Sequence, residues 1–368
     1  MTNLGLALFL LLAAIPDSLL ARQAAHESVG RRFTALPLAS FSSDDGVGYG
    51  LRLSIYDYNG KSVPYTWACN MQAFFTSRGK WVHRVTLDFP QLTANQRLTI
   101  DFLWDKEKFA LFSGDLGDGE LDSYSESQIT FKQQYPVFTL TWIRTLRLPW
   151  KIRIGFYAGH NTITPNANHN TTLERFSPLG HGGGSFYKGQ GALRYDTRDN
   201  YLNATRGLLE EALVEYGIGK GGSFKGGGFS YEHRHFVPLK EKWVFGYRAF
   251  GSTMFGDLPF YELPLLGGSR TVRGLPKARL RGHGRVLINS ELRWLGFQVS
   301  QRMNLDLGGL LFADAGHIFE PADGPSLDNW RAGYGLGLRF YWYSTILRMD
   351  YGMSIGNKGL YMKFAHIF

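Results

Sequence analysis

The sequence has one cysteine, Cys69, in 368 residues, which excludes a framework of disulfides within the chain. Beyond the apolar run at residues 4–15, it also has no stretch of about 18 to 20 consecutive apolar residues, the length that a helix needs to cross a bilayer. A helical membrane protein is therefore excluded. A transmembrane β-barrel is not, because each of its strands needs only about 9 to 11 residues.

Motifs for catalysis and for metal or phosphate binding are scarce. Ser230 and His233 are close in sequence, but this arrangement is too common to indicate a catalytic triad. His233 and His235 share one face of a strand without an evident third metal ligand. The glycine clusters 182–184 and 226–228 lack the Lys-Ser/Thr pair of a phosphate loop. We therefore expect no enzyme activity, no cofactor and no bound metal.

The formal net charge is +9, but the basic residues are spread singly along the chain. A nucleic-acid partner would favour a clustered basic stripe, so none is expected. Outer-membrane lipid, with its anionic lipopolysaccharide, and a charged lumen explain the basic residues better. The 27 phenylalanines and 19 tyrosines fit the aromatic girdles of a membrane barrel.

The N-terminus resembles a secretory signal peptide over residues 1–21, with cleavage after Ala21 or as late as Ala25. The alternative is a buried N-terminal helix. Export would leave a short periplasmic segment, 22–32, which is too short for a folded module. The remaining residues, 33–368, are predicted to form an outer-membrane β-barrel.

Apolar and polar residues alternate along many segments, for example in Trp81–Phe89 and Trp150–His160. Period two with one polar face indicates strands rather than helices. The predicted strands are 33–41, 47–58, 65–76, 81–89, 95–104, 132–147, 150–160, 187–196, 206–217, 224–237, 242–253, 285–296, 303–314, 330–341, 344–355 and 359–368.

Loop lengths favour this even count of sixteen strands. The long connections 105–131, 161–186, 254–284 and 315–329 then all lie on one side, as in bacterial outer-membrane barrels. An additional strand at Tyr124–Phe131 would place long loops on both sides. We therefore predict an all-β fold, a 16-stranded antiparallel transmembrane barrel. A secreted soluble β-sandwich or propeller is the alternative.

The C-terminal segment carries aromatic residues that the soluble alternative leaves unexplained. Phe364 and the terminal Phe368 lie on one face of the last predicted strand, together with Met362. This pattern resembles the signal by which barrels are recognised for assembly. The barrel assembly machinery is therefore an expected partner for insertion of the chain itself.

Three further motifs occur in one order along the chain. Asp196-Thr197-Arg198-Asp199 is followed by Gly207, then by Val272-Arg273-Gly274 and finally by Phe312-Ala313-Asp314-Ala315-Gly316. Together they resemble the D-[ST]-R-D turn, the V-R-G-[FY] loop and the F-x-D-x-G strand of the BamA/TamA/FhaC superfamily of outer-membrane insertases and translocases, also called bacterial surface antigens. Leu275 stands where that family has an aromatic residue.

The resemblance implies that the sixth external loop folds into the lumen and that Arg273 pairs with acidic groups on the inner wall. Strand alternation places Glu291 and Asp314 on that wall. An arginine between carboxylates makes charge-assisted hydrogen bonds at two points, which lysine does not reproduce. The alternative is that Arg273 is a solvated loop charge.

The resemblance also implies a function in inserting or translocating proteins or lipids at the outer membrane of a Gram-negative bacterium. A polypeptide or lipid client is the corresponding partner, and the first predicted strand contains Pro37, which suits a weak seam with the last strand. The POTRA domains that usually precede such barrels have no counterpart in residues 22–32. A passive plugged channel or structural barrel remains the alternative, and the sequence does not indicate an oligomeric state.

Overall fold

A computed structural model describes residues 29–220, 223–342, 345–364 and 366–368. The predicted signal peptide and its cleavage site lie outside these residues. Of the predicted periplasmic segment 22–32, residues Val29–Arg32 belong to the first strand, which begins four residues earlier than predicted.

Sixteen antiparallel strands close into one barrel, which confirms the predicted fold class. They are β1 (Val29–Ser42), β2 (Gly46–Asn59), β3 (Trp67–Thr76), β4 (Trp81–Thr93), β5 (Gln96–Leu111), β6 (Thr130–Arg147), β7 (Trp150–Pro165), β8 (Gly184–Asp196), β9 (Gly207–Gly219), β10 (Lys225–Lys240), β11 (Trp243–Asp257), β14 (Gly284–Ser300), β15 (Leu305–Phe319), β16 (Arg331–Trp342), β17 (Thr345–Ser354) and β18 (Asn357–Phe364). Two very short strands, β12 (Leu265–Leu266) and β13 (Leu280–Arg281), pair within the connection from β11 to β14.

Short helices occupy the connections. Residues Asp118–Leu121 and Glu126–Ile129 are helical between β5 and β6, so Tyr124–Phe131 forms no additional strand. A further helix, Thr172–Phe176, lies between β7 and β8, and a single 3₁₀ turn, Phe260–Glu262, follows β11. None of the helices in the described part of the chain has the length and apolar character required to cross a membrane.

The two faces of the strands differ in chemistry. Outward residues such as Leu311 (60% exposed) and Tyr334 (60%) are apolar or aromatic, whereas the inward Glu291 (0%) and Asp314 (2%) are charged and buried. The period of two along each strand therefore separates a lipid-compatible wall from a polar lumen.

The long connections 112–129, 166–183, 258–283 and 320–330 all lie at one rim, as predicted from loop parity. Each is shorter than predicted because the flanking strands extend further. In outer-membrane barrels the long loops are external and the turns periplasmic, so we call the two rims external and periplasmic. Residues 258–283 are the sixth external loop.

The last strand corrects one expectation, because β18 ends at Phe364 rather than at Phe368. His366 instead faces the lumen, where it contacts Asn203 Oδ1 (3.1 Å) and accepts a hydrogen bond from Arg339 Nε (3.4 Å). Phe368 is buried against Phe236, with ring centroids 6.1 Å apart. Polar partners for His366 and an apolar pocket for Phe368 account for the departure from the strand.

The seam between the first and last strands is short. Within the described residues, β1 and β18 are in register only at Phe41 with Met362 and Ser42 with Tyr361. By contrast, β1 pairs with β2 over its whole length, Val29–Ser42. One further backbone hydrogen bond, from Ser43 to Leu360 (3.0 Å), extends the seam at the external rim.

Candidate functional site in the barrel lumen

The sixth external loop reaches the inner wall of the barrel through a tight turn at Gly274. This residue has φ +97°, a backbone conformation that favours glycine, and an added Cβ would lie 2.6 Å from the backbone of Met353 on β17. Its amide donates to the Tyr361 hydroxyl of β18 at 3.2 Å. Glycine at this position thus lets the loop approach the wall closely enough for its neighbour Arg273 to contact it.

Arg273 is completely buried and is held by three carboxylates. Its Nε and Nη2 donate to the two oxygens of Asp314 at 2.7 and 2.9 Å, and its own backbone amide adds a third bond to Asp314 at 3.1 Å. Nη1 donates to Glu291 at 2.8 Å and to Asp350 at 3.3 Å. The structure therefore brings together Arg273, Asp314 and Glu291, and adds Asp350.

Neighbouring side chains complete the surroundings of this guanidinium. The Phe312 ring lies beneath it, with its centroid 3.5 Å from Cζ. Asn289 donates to Asp314 (2.8 Å) and to the Thr271 carbonyl (2.7 Å), so it ties the loop backbone to the same carboxylate. Stacking on an aromatic face and two-point pairing with a carboxylate both exploit the planar guanidinium.

A second layer of arginines balances the carboxylates. Asp350 accepts from Arg339 (2.6 Å) and Arg348 (3.4 Å), and Glu291 accepts from Arg293 (2.8 Å). All of these groups are at most 3% exposed. Burial of so many charges is costly unless each is paired, so the set is stable only as a connected network.

The network residues Asp350, Arg339 and Arg348 did not figure in the sequence prediction. Each is a single charge that alternates with exposed apolar residues on β16 or β17, such as Leu338 and Tyr351. That alternation is the signal that would have identified them as lumen residues.

The remaining loop residues named from the sequence pack beside the network. Val272 and Leu275 are buried and cluster with Leu266 and Leu287. Leu275, at the family's aromatic position, thus fills an apolar pocket.

The loop has a second attachment, to the β1–β2 turn and β5. Lys277 Nζ lies 3.2 Å from Asp45 and 2.6 Å from Glu107, while its amide donates to Asp44 at 3.1 Å. Burial would raise the pKa of Asp45, but the charges of Lys277 and Lys80 outweigh it, so that this pKa is lowered below its ordinary value.

A third attachment joins the loop to β6 and β8, across the lumen from the Arg273 site. Glu262 accepts from the Tyr135 hydroxyl (2.6 Å) and from Lys188 Nζ (3.2 Å), on β6 and β8. The loop is therefore fastened at three separate regions of the wall, by one arginine, one lysine and one glutamate.

The D-T-R-D motif forms the periplasmic turn between β8 and β9. Arg198 donates from Nε and Nη2 to the two oxygens of Asp196, both at 2.9 Å. Asp199 accepts from the Thr205 hydroxyl (2.5 Å) and amide (2.9 Å), which closes the turn. Gly207 has φ +91°, and an added Cβ would collide with the Thr197 carbonyl oxygen.

The other candidate groups are dispersed. Phe364 lies on the lipid-facing wall (39% exposed), whereas Phe368 lies in the lumen. Ser230 faces the lumen, but His233 faces outward and contacts Glu210 at 2.7 Å, so the two cannot act together. In the described ranges, no group of three or more His, Cys, Asp or Glu residues is arranged to hold a metal ion.

The model of the Omp85 superfamily domain matches residues 70–361. The chain belongs to the Omp85 superfamily. This confirms the resemblance to the insertase and translocase superfamily seen in the sequence, and it identifies the Omp85 barrel as an outer-membrane protein of a Gram-negative bacterium.

Solved structures share the Omp85 fold at low sequence identity. BamA from Haemophilus ducreyi lacking POTRA domains 1-3 has a TM-score of 0.65 and 14% identity, over 92% of this chain and 70% of that chain. CdiB from Escherichia coli has a TM-score of 0.64 and 12% identity, over 90% of this chain and 63% of that one. CdiB from Acinetobacter baumannii has a TM-score of 0.55 and 12% identity, over 91% and 60%. The chain thus spans less than two thirds of either CdiB. No curated protein matches it.

Proposed function

We propose that this Omp85 barrel inserts or translocates polypeptide or lipid at the outer membrane by opening the seam between β1 and β18. The observation that carries the proposal is the short pairing of these strands, from Phe41 with Met362 to Ser42 with Tyr361. The function needs no catalytic residue, because opening and closing a strand pair is a conformational change rather than a reaction.

Opening the seam breaks few hydrogen bonds and exposes a useful edge. On the periplasmic side of Phe41, β1 pairs only with β2 among the residues that the structure describes, and Pro37 has no amide to donate. An unpaired strand edge presents backbone groups that can template an incoming strand. A client strand could therefore add to β1 without first displacing a long ladder.

The sixth external loop lies across the inside of this seam. The Gly274 amide bonds to Tyr361 on β18, and the Lys277 amide bonds to Asp44 in the β1–β2 turn. The loop therefore bridges the two sides where they meet. We propose that Arg273 anchors the loop as a plug and that the bridge holds the seam closed in the resting barrel.

Site-specific photo-crosslinking in intact outer membranes tests the proposal. A photoreactive residue replaces Ala39, on the outward face of β1, or Ala249, on the outward face of the fully paired β11. We expect crosslinks to a polypeptide client or to a lipid-carrier protein from position 39. The yield of such crosslinks from position 249 should be much lower. Equal yields from the two positions would contradict the proposal.

A second candidate function is a passive barrel whose plug limits permeation. The three attachments of the sixth loop, through Arg273, Lys277 and Glu262, favour it because they hold the loop inside the lumen. Deletion of 258–283 would then raise ion conductance in planar bilayers sharply and leave assembly of other barrels unchanged.

A further inference from the structure

The lipid-facing wall carries a polar cluster. Glu210 on β9 lies in register with His233 on β10, and its carboxylate contacts His233 Nδ1 at 2.7 Å and the Tyr231 hydroxyl. His233 Nε2 in turn lies 3.0 Å from the Tyr247 hydroxyl on β11. A carboxylate, an imidazole and two phenols thus form one hydrogen-bonded chain across three strands.

The cluster faces outward. Along β9 it shares a face with the exposed Val214 (58%) and Tyr216 (52%), whereas the neighbouring Leu209 is buried (3%). A charged group on the lipid face of a membrane barrel is costly at the bilayer midplane and tolerated near the interfaces, where it can meet lipid headgroups.

The position along the strands places the cluster at the level of lipid headgroups. Glu210 is the fourth residue of β9, about 8 Å from the periplasmic end at a rise of about 3.3 Å per residue and a tilt of about 40°. Its partner in register on β8 is Tyr195, whose ring packs on Trp150 with centroids 4.9 Å apart. Tryptophan and tyrosine mark the membrane interface, so the polar atoms of the cluster meet headgroups of the periplasmic leaflet.

The chemistry of the cluster favours a cation. The ion-pair partner of Glu210 is a histidine rather than an arginine or a lysine. A second outward carboxylate, Asp57, differs because it pairs with Arg31 at 3.3 Å. His235 lies two residues beyond His233 on the same face of β10; its ring packs on Tyr247 and carries an N–H donor suited to a phosphate oxygen.

We propose that Glu210 and His235 bind a phospholipid of the periplasmic leaflet through a headgroup that carries a primary ammonium beside its phosphate. The carboxylate of Glu210 accepts from the ammonium, and His235 donates to the phosphate. Tyr231 and His233 orient the carboxylate. The barrel would thereby hold one ordered lipid on the wall formed by β9, β10 and β11.

Native mass spectrometry of the full chain in mild detergent tests this site. The protein is offered equal amounts of phosphatidylethanolamine and phosphatidylglycerol with identical acyl chains. We expect the wild type to retain the ethanolamine lipid about tenfold better, the value of one charge-assisted hydrogen bond. Glu210→Gln is expected to bring the ratio near one, whereas the matched control Asp57→Asn leaves it unchanged.

Three outcomes would overturn the proposal: equal retention of both lipids by the wild type, an unchanged preference in Glu210→Gln, or binding of a second copy of the chain instead of lipid. If Glu210→Gln does not assemble, His235→Phe tests the same site. It removes the phosphate donor, keeps a ring packed on Tyr247 and leaves the Glu210 to His233 contact in place, so retention of both lipids must fall while the preference for the ethanolamine lipid persists.

Discussion

Arg273 and Asp314 meet through three hydrogen bonds at 2.7, 2.9 and 3.1 Å, two from the guanidinium and one from the arginine's own amide. One carboxylate thereby fixes both the side chain and the backbone of the sixth external loop. This relationship couples the loop to β15 more tightly than a surface ion pair would, because both groups are buried.

Arg273→Ala is expected to release the loop and to destabilise the barrel. Removal of one partner from a buried pair typically costs about 3 to 5 kcal/mol, because the remaining carboxylates lose their counter-charge. The measurements are protease access to 258–283 and the temperature at which the barrel unfolds in detergent. Arg270→Ala, three residues away and exposed, is the matched control. Unchanged protease access and heat stability in Arg273→Ala would contradict this role.

Asp350→Asn is expected to destabilise the barrel by about 3 kcal/mol, since Arg339 and Arg348 then share a buried site with less negative charge. Urea unfolding measures the change. The double variant Asp350→Asn with Arg339→Gln restores the local charge balance and should recover part of the loss. If the double variant lost as much stability as the two single variants added together, these groups would not act as a network.

Gly207→Ala is expected to impair the β8–β9 turn, because φ +91° is strained for alanine and its Cβ collides with the Thr197 carbonyl. We expect a cost of about 1 to 3 kcal/mol. Gly189→Ala on β8, where an added Cβ meets nothing within 4 Å, is the control. Equal unfolding temperatures for the two variants would exclude a conformational role for Gly207.

The same turn should weaken in acid. Burial raises the pKa of Asp199, but the hydrogen bonds from Thr205 and Arg206 outweigh it and lower this pKa below its ordinary value. A carboxyl with a lowered folded pKa stabilises the fold above its unfolded pKa, near 3.9, and loses that contribution as pH falls through the folded value. Between pH 5 and pH 2, the unfolding midpoint should therefore fall more steeply in the wild type than in Asp199→Asn. Parallel curves would contradict this assignment.

Much of the barrel follows from period two alone. The alternation around Ile288 and Leu311 places Glu291 and Asp314 inside, because a strand in a membrane wall has one lipid face. Loop parity then predicts a sixth external loop at 254–284, which the structure places at 258–283, and its V-R-G motif singles out Arg273. These inferences rest on local patterns, which a sequence displays directly.

The rest depends on contacts between distant segments. Asp350 meets Arg273 only because the loop crosses the lumen to β17, and no local pattern specifies that path. The attachments at Glu262 and Lys277 are missed for the same reason. The end of β18 at Phe364 reflects competition between pairing with β1 and the interior contacts of His366 and Phe368. A strand pattern cannot resolve that competition.

The role of Phe364 and Phe368 as an assembly signal remains a prediction. Phe364 is on the lipid face, as such a signal requires, but Phe368 is enclosed beside Arg293, whose Cζ lies 5.2 Å from its ring centroid. We expect Phe364→Ala to lower the yield of assembled barrel more than Phe368→Ala. If Phe368→Ala lowered the yield more, the assembly machinery would recognise the terminal residue, before Phe368 enters the lumen.

Locking the seam is the most direct measurement on the central claim. In a Cys69→Ala background, Phe41→Cys with Met362→Cys joins β1 to β18, and Ala39→Cys with Tyr49→Cys joins β1 to β2, each at residues in register. The polypeptide or lipid carrier crosslinked to each variant in outer membranes is then measured before and after reduction. The account predicts that the seam lock abolishes capture until it is reduced, whereas the β1–β2 lock has no effect. Full capture by the oxidised seam lock would contradict it.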